Sequence, residues 1–373
     1  MAVENKWKIH NKLLVFSAIF LALFGLVMQY SASCYSAERQ FGDAFYYVKK
    51  QAIALVFAIV VLYAVKFIKT DWLKKWRYVI LAFSAILLAL VFVPKIGVEN
   101  YGAKRWINLG FTTMQPSDVA KFALVIFIAG CLDKKSSLKF KNMIPILIAT
   151  ALICGLIMLE PNMSVTMCVG MVVLIMLFVG GCDYKHFLIM AIPVVAGVIG
   201  LILIEPYRVK RLMAFIDPWA SPLGEGYQLI QSYYALGSGG LFGLGLFNSR
   251  QKYLFLTFSE SDFILSIVGE ELGFVGLVLV LCVFIVITAQ GLKIAKNADN
   301  RFDSYLACGI TSVIAIQTLL NVAVISGSIP PTGIPLPFIS NGGTSLVCFM
   351  AGIGVLENIA SKSQRGYLNH KIY

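Results

Sequence analysis

Of the 373 residues, 59% are apolar and only 13% charged, about half the charged share of a soluble domain. That much apolar surface, 26 Phe among it, exceeds what one water-soluble core can hide, so a soluble enzyme is excluded and lipid must cover the excess. The formal charge of +12 would suggest nucleic acid in a soluble chain, but here the Lys and Arg fall in short segments between apolar runs, as a cytoplasmic bias places them.

In chain order, Lys6, Lys8 and Lys12 precede the first apolar run, 13–30, and Ser31-Ala32-Ser33 follows it. This mimics a secretory signal, but more apolar runs follow, so it reads as an uncleaved first helix. Further runs lie at 51–68, 78–94, 117–132, 143–159, 163–181, 187–204, 263–290, 304–325 and 344–360. About 20 residues of helix cross the roughly 30 Å hydrocarbon layer. The pattern predicts an all-α polytopic membrane protein with ten transmembrane helices and a large extracytoplasmic loop between helices 7 and 8. The expected organisation is a cytoplasmic N-terminus at 1–12, a membrane domain at 13–360 containing the loop at 205–261, and a cytoplasmic tail at 361–373. With the N-terminus inside, inside segments carry 19 Lys and Arg and outside segments 11, with Lys121 inside a span. The inward excess supports that orientation.

Three expected outer segments, 95–116, 205–261 and 326–343, are rich in polar residues, Gly and Pro, and an outer-face site built from them is the natural hypothesis. Lys104-Arg105-Trp106-Ile107 offers a guanidinium fork for phosphate and a flat ring for a sugar face; the plainer reading is an interfacial anchor. Arg208, Lys210 and Arg211 form a second basic cluster. Pro116 and Ser117 suit a helix start, and Asp118 and Lys121, three residues apart, can pair on one helical face; phosphate neutralisation by Lys121 is the rival reading. Asp262 opens a long apolar run, where it is either a helix cap or a general base whose partial desolvation lifts its pKa. Glu270 and Glu271 lie deeper on the same helix and must be paired, protonated or wetted. Pro330 to Gly343 contains four prolines that remove four donors, so it reads as a re-entrant or cavity-lining segment. The eight Cys contain no CxxC, and neither a disulfide framework, a metal site nor a nucleotide-binding fingerprint is visible.

These strings together resemble the SEDS family (shape, elongation, division and sporulation), bacterial proteins including FtsW, RodA and SpoVE. The resemblance covers essentially the full chain. Besides the strings above it rests on Gln115-Pro116-Ser117, Arg211 through Asp217-Pro218-Trp219, Gly226-Tyr227-Gln228 with Gln231-Ser232, Gly237-Ser238-Gly239-Gly240, Ser261-Asp262-Phe263 and Gly269-Glu270-Glu271-Leu272-Gly273. It implies ten transmembrane helices and peptidoglycan glycosyltransferase activity on lipid II, with a class B penicillin-binding protein as transpeptidase partner and other divisome membrane proteins nearby. Asn248-Ser249-Arg250-Gln251-Lys252 looks division-like, so the chain is most similar to FtsW-like members. Asn162 and Asn341 stand where the family often has Asp and Tyr, which puts an obligatory acid role at 162 in doubt.

The expected chemistry is glycosyl transfer with a lipid pyrophosphate leaving group and Asp262 as base. Arg105, Trp106, Lys121, Arg208, Arg211, Gln228 and Ser232 are the expected substrate-binding residues. Asp118, Glu270, Glu271, Pro337, Ser340, Gly342 and Gly343 are the expected internal polar network. A divalent cation (Mg or Mn) on the pyrophosphate is compatible with this chemistry. Rival readings are a lipid II flippase or other transporter, and a noncatalytic scaffold activating the penicillin-binding partner.

Overall fold

The computed structural model describes residues 2–100, 103–110, 113–133, 140–183, 185–187, 200 and 206–372, with side chains from Lys12 to Gln364 apart from 100, 103, 140 and 206–208. Apart from residues 187 and 200, the span expected at 187–204 lies outside the described residues, as does the side chain of Arg208.

The helices are α1 (Ala2–Phe41), α2 (Tyr46–Lys66), α3 (Thr70–Leu90), α4 (Pro116–Leu132), α5 (Phe140–Leu159), α6 (Met163–Val179), α7 (Pro206–Ile216), α8 (Tyr227–Gly239), α9 (Ile264–Lys296), α10 (Arg301–Ile325) and α11 (Gly343–Ile372). Six of them, α1, α2, α5, α9, α10 and α11, are long and apolar enough to cross a bilayer, and α6 is a shorter apolar helix. The protein is therefore an all-α polytopic membrane protein, with about six candidate membrane-spanning helices among the described residues. Helices α3 and α4 coincide with two further predicted spans. The former carries Asp71, Lys74, Lys75 and Arg77 near its start, and the latter has only 17 residues.

One departure from all-helical structure stands between α3 and α4. Residues expected as an irregular loop form a three-stranded antiparallel sheet, β1 (Gly97–Asn100), β2 (Ala103–Asn108) and β3 (Thr113–Met114), in that order. A bulge at Val98/Glu99 shifts its register. The pairing runs from Trp106 to Lys104 and skips Arg105, so the regular alternation of side chains breaks there; Ile107 beyond it is buried.

In the bundle, α11 lies along α2, α10 along α9, α4 along α3, and α1 against α9. Buried apolar side chains from α1, α4, α6, α9, α10 and α11 form one continuous core.

Helix α9 is not one straight helix; it breaks. Gly273 has φ 68° and ψ −168°, a conformation essentially reserved for glycine. The break frees backbone groups that the Gly-rich stretch after α8 satisfies. Leu244 and Gly245 donate to the carbonyls of Glu270 and Glu271, both at 2.9 Å, while Phe274 and Val275 donate to Gly240 and Leu241 at 2.9 and 3.1 Å. A Cβ on Gly243 would run into the Glu271 carbonyl, and one on Gly273 into the backbone of Gly243 and Leu241. Gly273→Ala is expected to cost at least about 1–3 kcal/mol from backbone strain, visible as a lowered thermal midpoint in detergent; an unchanged midpoint would show that the break is not required.

Candidate active site

A cleft of about 1000 Å³ opens among the start of α2, strand β2, the start of α4, the α5–α6 corner and the Pro-rich segment before α11. Asp262 lines it, with Arg105, Trp106, Arg211, Gln228, Asp118, Gly342 and Gly343. Residues up to 305 positions apart in sequence, Gln40 to Ser345, thus reach one space: the α1–α2 corner and the start of α2 also contribute, through Gln40 and Gln51.

Asp262 is not the cap of the helix it precedes. That position is held by Phe263, and no side chain caps it. The Asp262 carboxylate has no hydrogen-bond partner among the described residues, and its backbone carbonyl instead accepts from Asn321 Nδ2 at 2.9 Å. Burial pushes its pKa from 3.8 to about 7, and the neighbouring Glu260 adds to the rise; Arg105 and Arg211 oppose it. An acid that is half ionised near neutral pH, with two guanidinium groups within electrostatic reach, suits proton abstraction beside a developing anion. Gly333 keeps the carboxylate reachable from the Pro-rich side, since a Cβ there would lie only 3.1 Å from Oδ2.

The two guanidiniums are held by backbone carbonyls. Arg105 donates from Nε to Glu160 O at 3.1 Å and from Nη2 to Pro161 O at 2.6 Å. Arg211 donates to Pro331 O at 3.3 Å and lies 3.6 Å from Glu225. The field of Arg105 reaches a second carboxyl group besides that of Asp262. Glu160, beside Arg105, is fully buried, and neither carboxylate oxygen has a hydrogen-bond partner among the described residues. Burial pushes that group up to about 8, against the pull of Arg105.

The Pro-rich segment is irregular backbone held by amides projecting from the helices. Gln29 Nε2 donates to Ile339 O at 3.1 Å, and Gln317 Nε2 to Pro335 O at 2.8 Å. Asn321 Nδ2 also reaches Ile334 O at 2.8 Å. Gln51 donates to Ser340 O at 3.4 Å and accepts from Gly342 N at 3.2 Å. Ser340 Oγ accepts from Leu336 N at 2.7 Å and donates to Ser261 O. Helical side chains thus supply the donors that a proline-interrupted strand cannot find in its own backbone. Pro337 O accepts from Ile339 N at 2.8 Å and belongs to this frame.

The sequence matches the family described as Cell cycle protein, FtsW/RodA/SpoVE, over residues 11–365. The chain belongs to the FtsW/RodA/SpoVE family. Stage V sporulation protein E of Bacillus subtilis is 38% identical over 356 residues, covering 94% of this chain and 97% of that protein. A probable peptidoglycan glycosyltransferase FtsW of Trichlorobacter lovleyi is 37% identical, covering 94% and 93%. Among solved structures, a chain from work on the coordination of polymerization and crosslinking by a peptidoglycan synthase complex superposes with a TM-score of 0.78 at 27% identity, covering 94% of this chain and 97% of that one. An aspartate-to-alanine variant of the rod shape determining protein RodA from Thermus thermophilus gives 0.70 at 25% identity, covering 94% and 96%.

Not every polar residue of this FtsW/RodA/SpoVE chain singled out in the sequence reaches the cleft. Lys121 is 3% exposed; it pairs with Asp118 at 2.8 Å and donates to Gln317 Oε1 at 2.7 Å. Its charge is spent inside the bundle, where it links the cleft-lining Asp118 through Gln317 to the Pro-rich segment. Ser232 is also fully buried: it shares a 2.8 Å hydrogen bond with Ser266 and donates to Ile325 O at 3.0 Å, fixing α8 against α9 and α10. Gln228 lines the cleft and donates to Thr257 Oγ1 at 2.8 Å.

Glu270 and Glu271 are buried and face the loop 247–252, not the cleft. Glu270 accepts from Arg250 N at 2.9 Å, from Gln251 N at 3.4 Å and from Ser249 Oγ. Glu271 accepts from Phe247 N at 3.0 Å, Ser249 N at 3.2 Å and Ser31 Oγ, and lies 3.5 Å from Lys252 Nζ. The four amides Gln29, Gln51, Gln317 and Asn321 escaped the sequence reading; lone amides inside apolar helical runs were their signal.

Proposed function

We propose that this chain is a peptidoglycan glycosyltransferase that polymerises lipid II into glycan strands during cell division, with Asp262 as general base. The observation that carries the reading is an acid raised to about 7, in a cleft of about 1000 Å³, with Arg105 and Arg211 close enough to oppose that rise. The family relatives described as probable peptidoglycan glycosyltransferases support the substrate class.

In this reading the acceptor's sugar 4-hydroxyl gives its proton to Asp262 as its oxygen attacks the donor anomeric carbon. The new glycosidic C–O bond forms while the bond from that carbon to the pyrophosphate oxygen breaks. The lipid pyrophosphate leaves with the electron pair, and Asp262 later returns its proton to water. Arg105 and Arg211 offset the charge that develops on the leaving group. Trp106 faces the substrate's saccharide, and Lys121 acts at one remove by holding Asp118. A divalent cation bound with the pyrophosphate would add Lewis-acid assistance. The Pro-rich segment walls the donor carbon from water. The reading carries ten transmembrane helices, both termini in the cytoplasm, the 205–261 loop and cleft on the outer side, and a class B penicillin-binding protein as crosslinking partner. The excess of Lys and Arg in the segments assigned to the inside supports that orientation.

The test is to purify the chain with its transpeptidase partner, supply lipid II in detergent and resolve the products by length. Glycan polymer is expected. In liposomes, movement of lipid II between leaflets with no polymer would replace this reading by transport, and polymer formed equally well by the partner alone would replace it by a scaffold.

A further inference from the structure

The corner between α1 and α2 is built more elaborately than a connection needs. Helix α1 ends at Phe41, and Gly42 turns the chain with φ 69°. Asp43 accepts from Phe45 N at 3.0 Å and pairs with Lys49 at 2.7 Å, which fixes the turn. Around it the rings of Phe41 and Tyr46 stack with centroids 3.8 Å apart, and Tyr47 meets Phe41 edge-on at 5.8 Å and 84°. Lys50 Nζ lies 4.2 Å from the Tyr46 ring centroid, donates to its hydroxyl at 2.6 Å, and has no carboxylate at ion-pair distance among the described residues. Phe41 is nonetheless 47% exposed. All these rings, with Gln40 and Lys50, line the same cleft as Asp262.

We propose that this corner is a saccharide-binding subsite, in which a pyranose ring of the glycan lies against Phe41 and Tyr47 while Gln40 and Lys50 hydrogen-bond its hydroxyls. The proposal rests on the glycosyltransferase reading and extends it to a place where the sugar is held away from the reacting bond. A pyranose presents C–H groups on its faces and hydroxyls around its rim. The faces match the negative π surface of an aromatic ring, and the rim needs donors and acceptors beside that surface. A polyprenyl tail would desolvate the polar ends of Gln40 and Lys50 and return no hydrogen bond, leaving them only their contacts with the Tyr47 and Tyr46 hydroxyls. An aromatic anchor for the bilayer surface would turn its rings to headgroups, whereas these face a cleft. Gln51, one residue beyond Lys50, hydrogen-bonds the Pro-rich wall at Ser340 and Gly342, so the subsite is fixed to the frame that holds the catalytic end.

The full chain with its transpeptidase partner is supplied with lipid II, and chain length and KM are measured for Phe41→Ala/Tyr47→Ala, Phe41→Leu and Phe41→Trp. The double variant is expected to shorten the mean strand and raise KM by about threefold to tenfold, the loss of one good stacking contact. Phe41→Leu, which keeps apolar area but no π face, should show a clear part of that loss, and Phe41→Trp should restore wild-type behaviour. Wild-type lengths and KM in the double variant would overturn the subsite, as would a fully active Phe41→Leu. If the wild type makes no polymer, the glycosyltransferase reading fails instead. Binding of purified uncrosslinked glycan strands to the full chain then decides the subsite alone: weaker binding by the double variant upholds it and equal binding overturns it.

Discussion

Asp262→Asn should leave the protein folded and able to bind lipid II, yet reduce polymerisation by about a hundred- to ten-thousand-fold, the usual contribution of a positioned base. Asn has the same shape and cannot take a proton. The carboxylate makes no hydrogen bond among the described residues and does not cap α9, so the substitution breaks no observed structural contact. Wild-type activity should rise with pH through about 7, where Asp262 loses its proton, and the residual activity of the variant should lack that step. Stability moves the other way. The folded form keeps the proton up to about pH 7 and the unfolded form ionises near 3.8. The stability gained from that proton is complete below pH 3.8, and it is lost as pH rises through about 7. At pH 8 the Asn variant should therefore melt no lower than the wild type. A variant that polymerises at near wild-type rate, or a wild type whose rate is flat from pH 6 to 8, would remove Asp262 from the base role.

Glu271→Leu should be among the most damaging single changes to stability. Its carboxylate accepts two backbone N–H groups of the 247–252 loop and lies 3.5 Å from Lys252, with the two side chains 0% and 3% exposed. Removing it leaves a buried ammonium and unmatched donors, a loss of about 3–5 kcal/mol. Adding Lys252→Met should recover part of the loss, because the stranded charge goes while the orphaned N–H groups stay. Glu271→Gln should be milder, since its amide oxygen still accepts. Thermal unfolding in detergent reads all three. Protease cleavage between Leu241 and Asp262 should rise in Glu271→Leu before the helices themselves become sensitive. A wild-type midpoint in Glu271→Leu, or a double variant worse than the single, would mean that the pair does not hold the loop.

Much of the membrane architecture was legible in residue runs. Gly343–Gln364, Arg301–Ile325 and Tyr46–Lys66 appear as long apolar helices where apolar runs predicted them. The irregular course of the Pro-rich string also followed from its four missing donors. The strands around Arg105 were not legible, because two to six residues of mixed polarity give no clear twofold period. The break in α9 was hidden as well. Gly273 inside an apolar run is compatible with a straight helix until a second segment, Gly240 to Gly245, comes close enough to take over the hydrogen bonds around it.

Composition and order alone determined that this protein lives in lipid, roughly where its helices run, and which residue types were available for chemistry near Asp262. Only the tertiary structure decided how those charges are used. Lys121 and Arg105 look alike as cations beside polar segments, yet Lys121 is buried against Asp118 and Gln317, the latter 196 residues away, while Arg105 donates to the carbonyls of Glu160 and Pro161 in a cleft where its field reaches Asp262. The physical reason is that apolar periodicity reports a residue's own solvent, lipid or protein. The working charge of an ionisable side chain depends on partners and desolvation supplied by distant segments, and those exist only once the chain has folded.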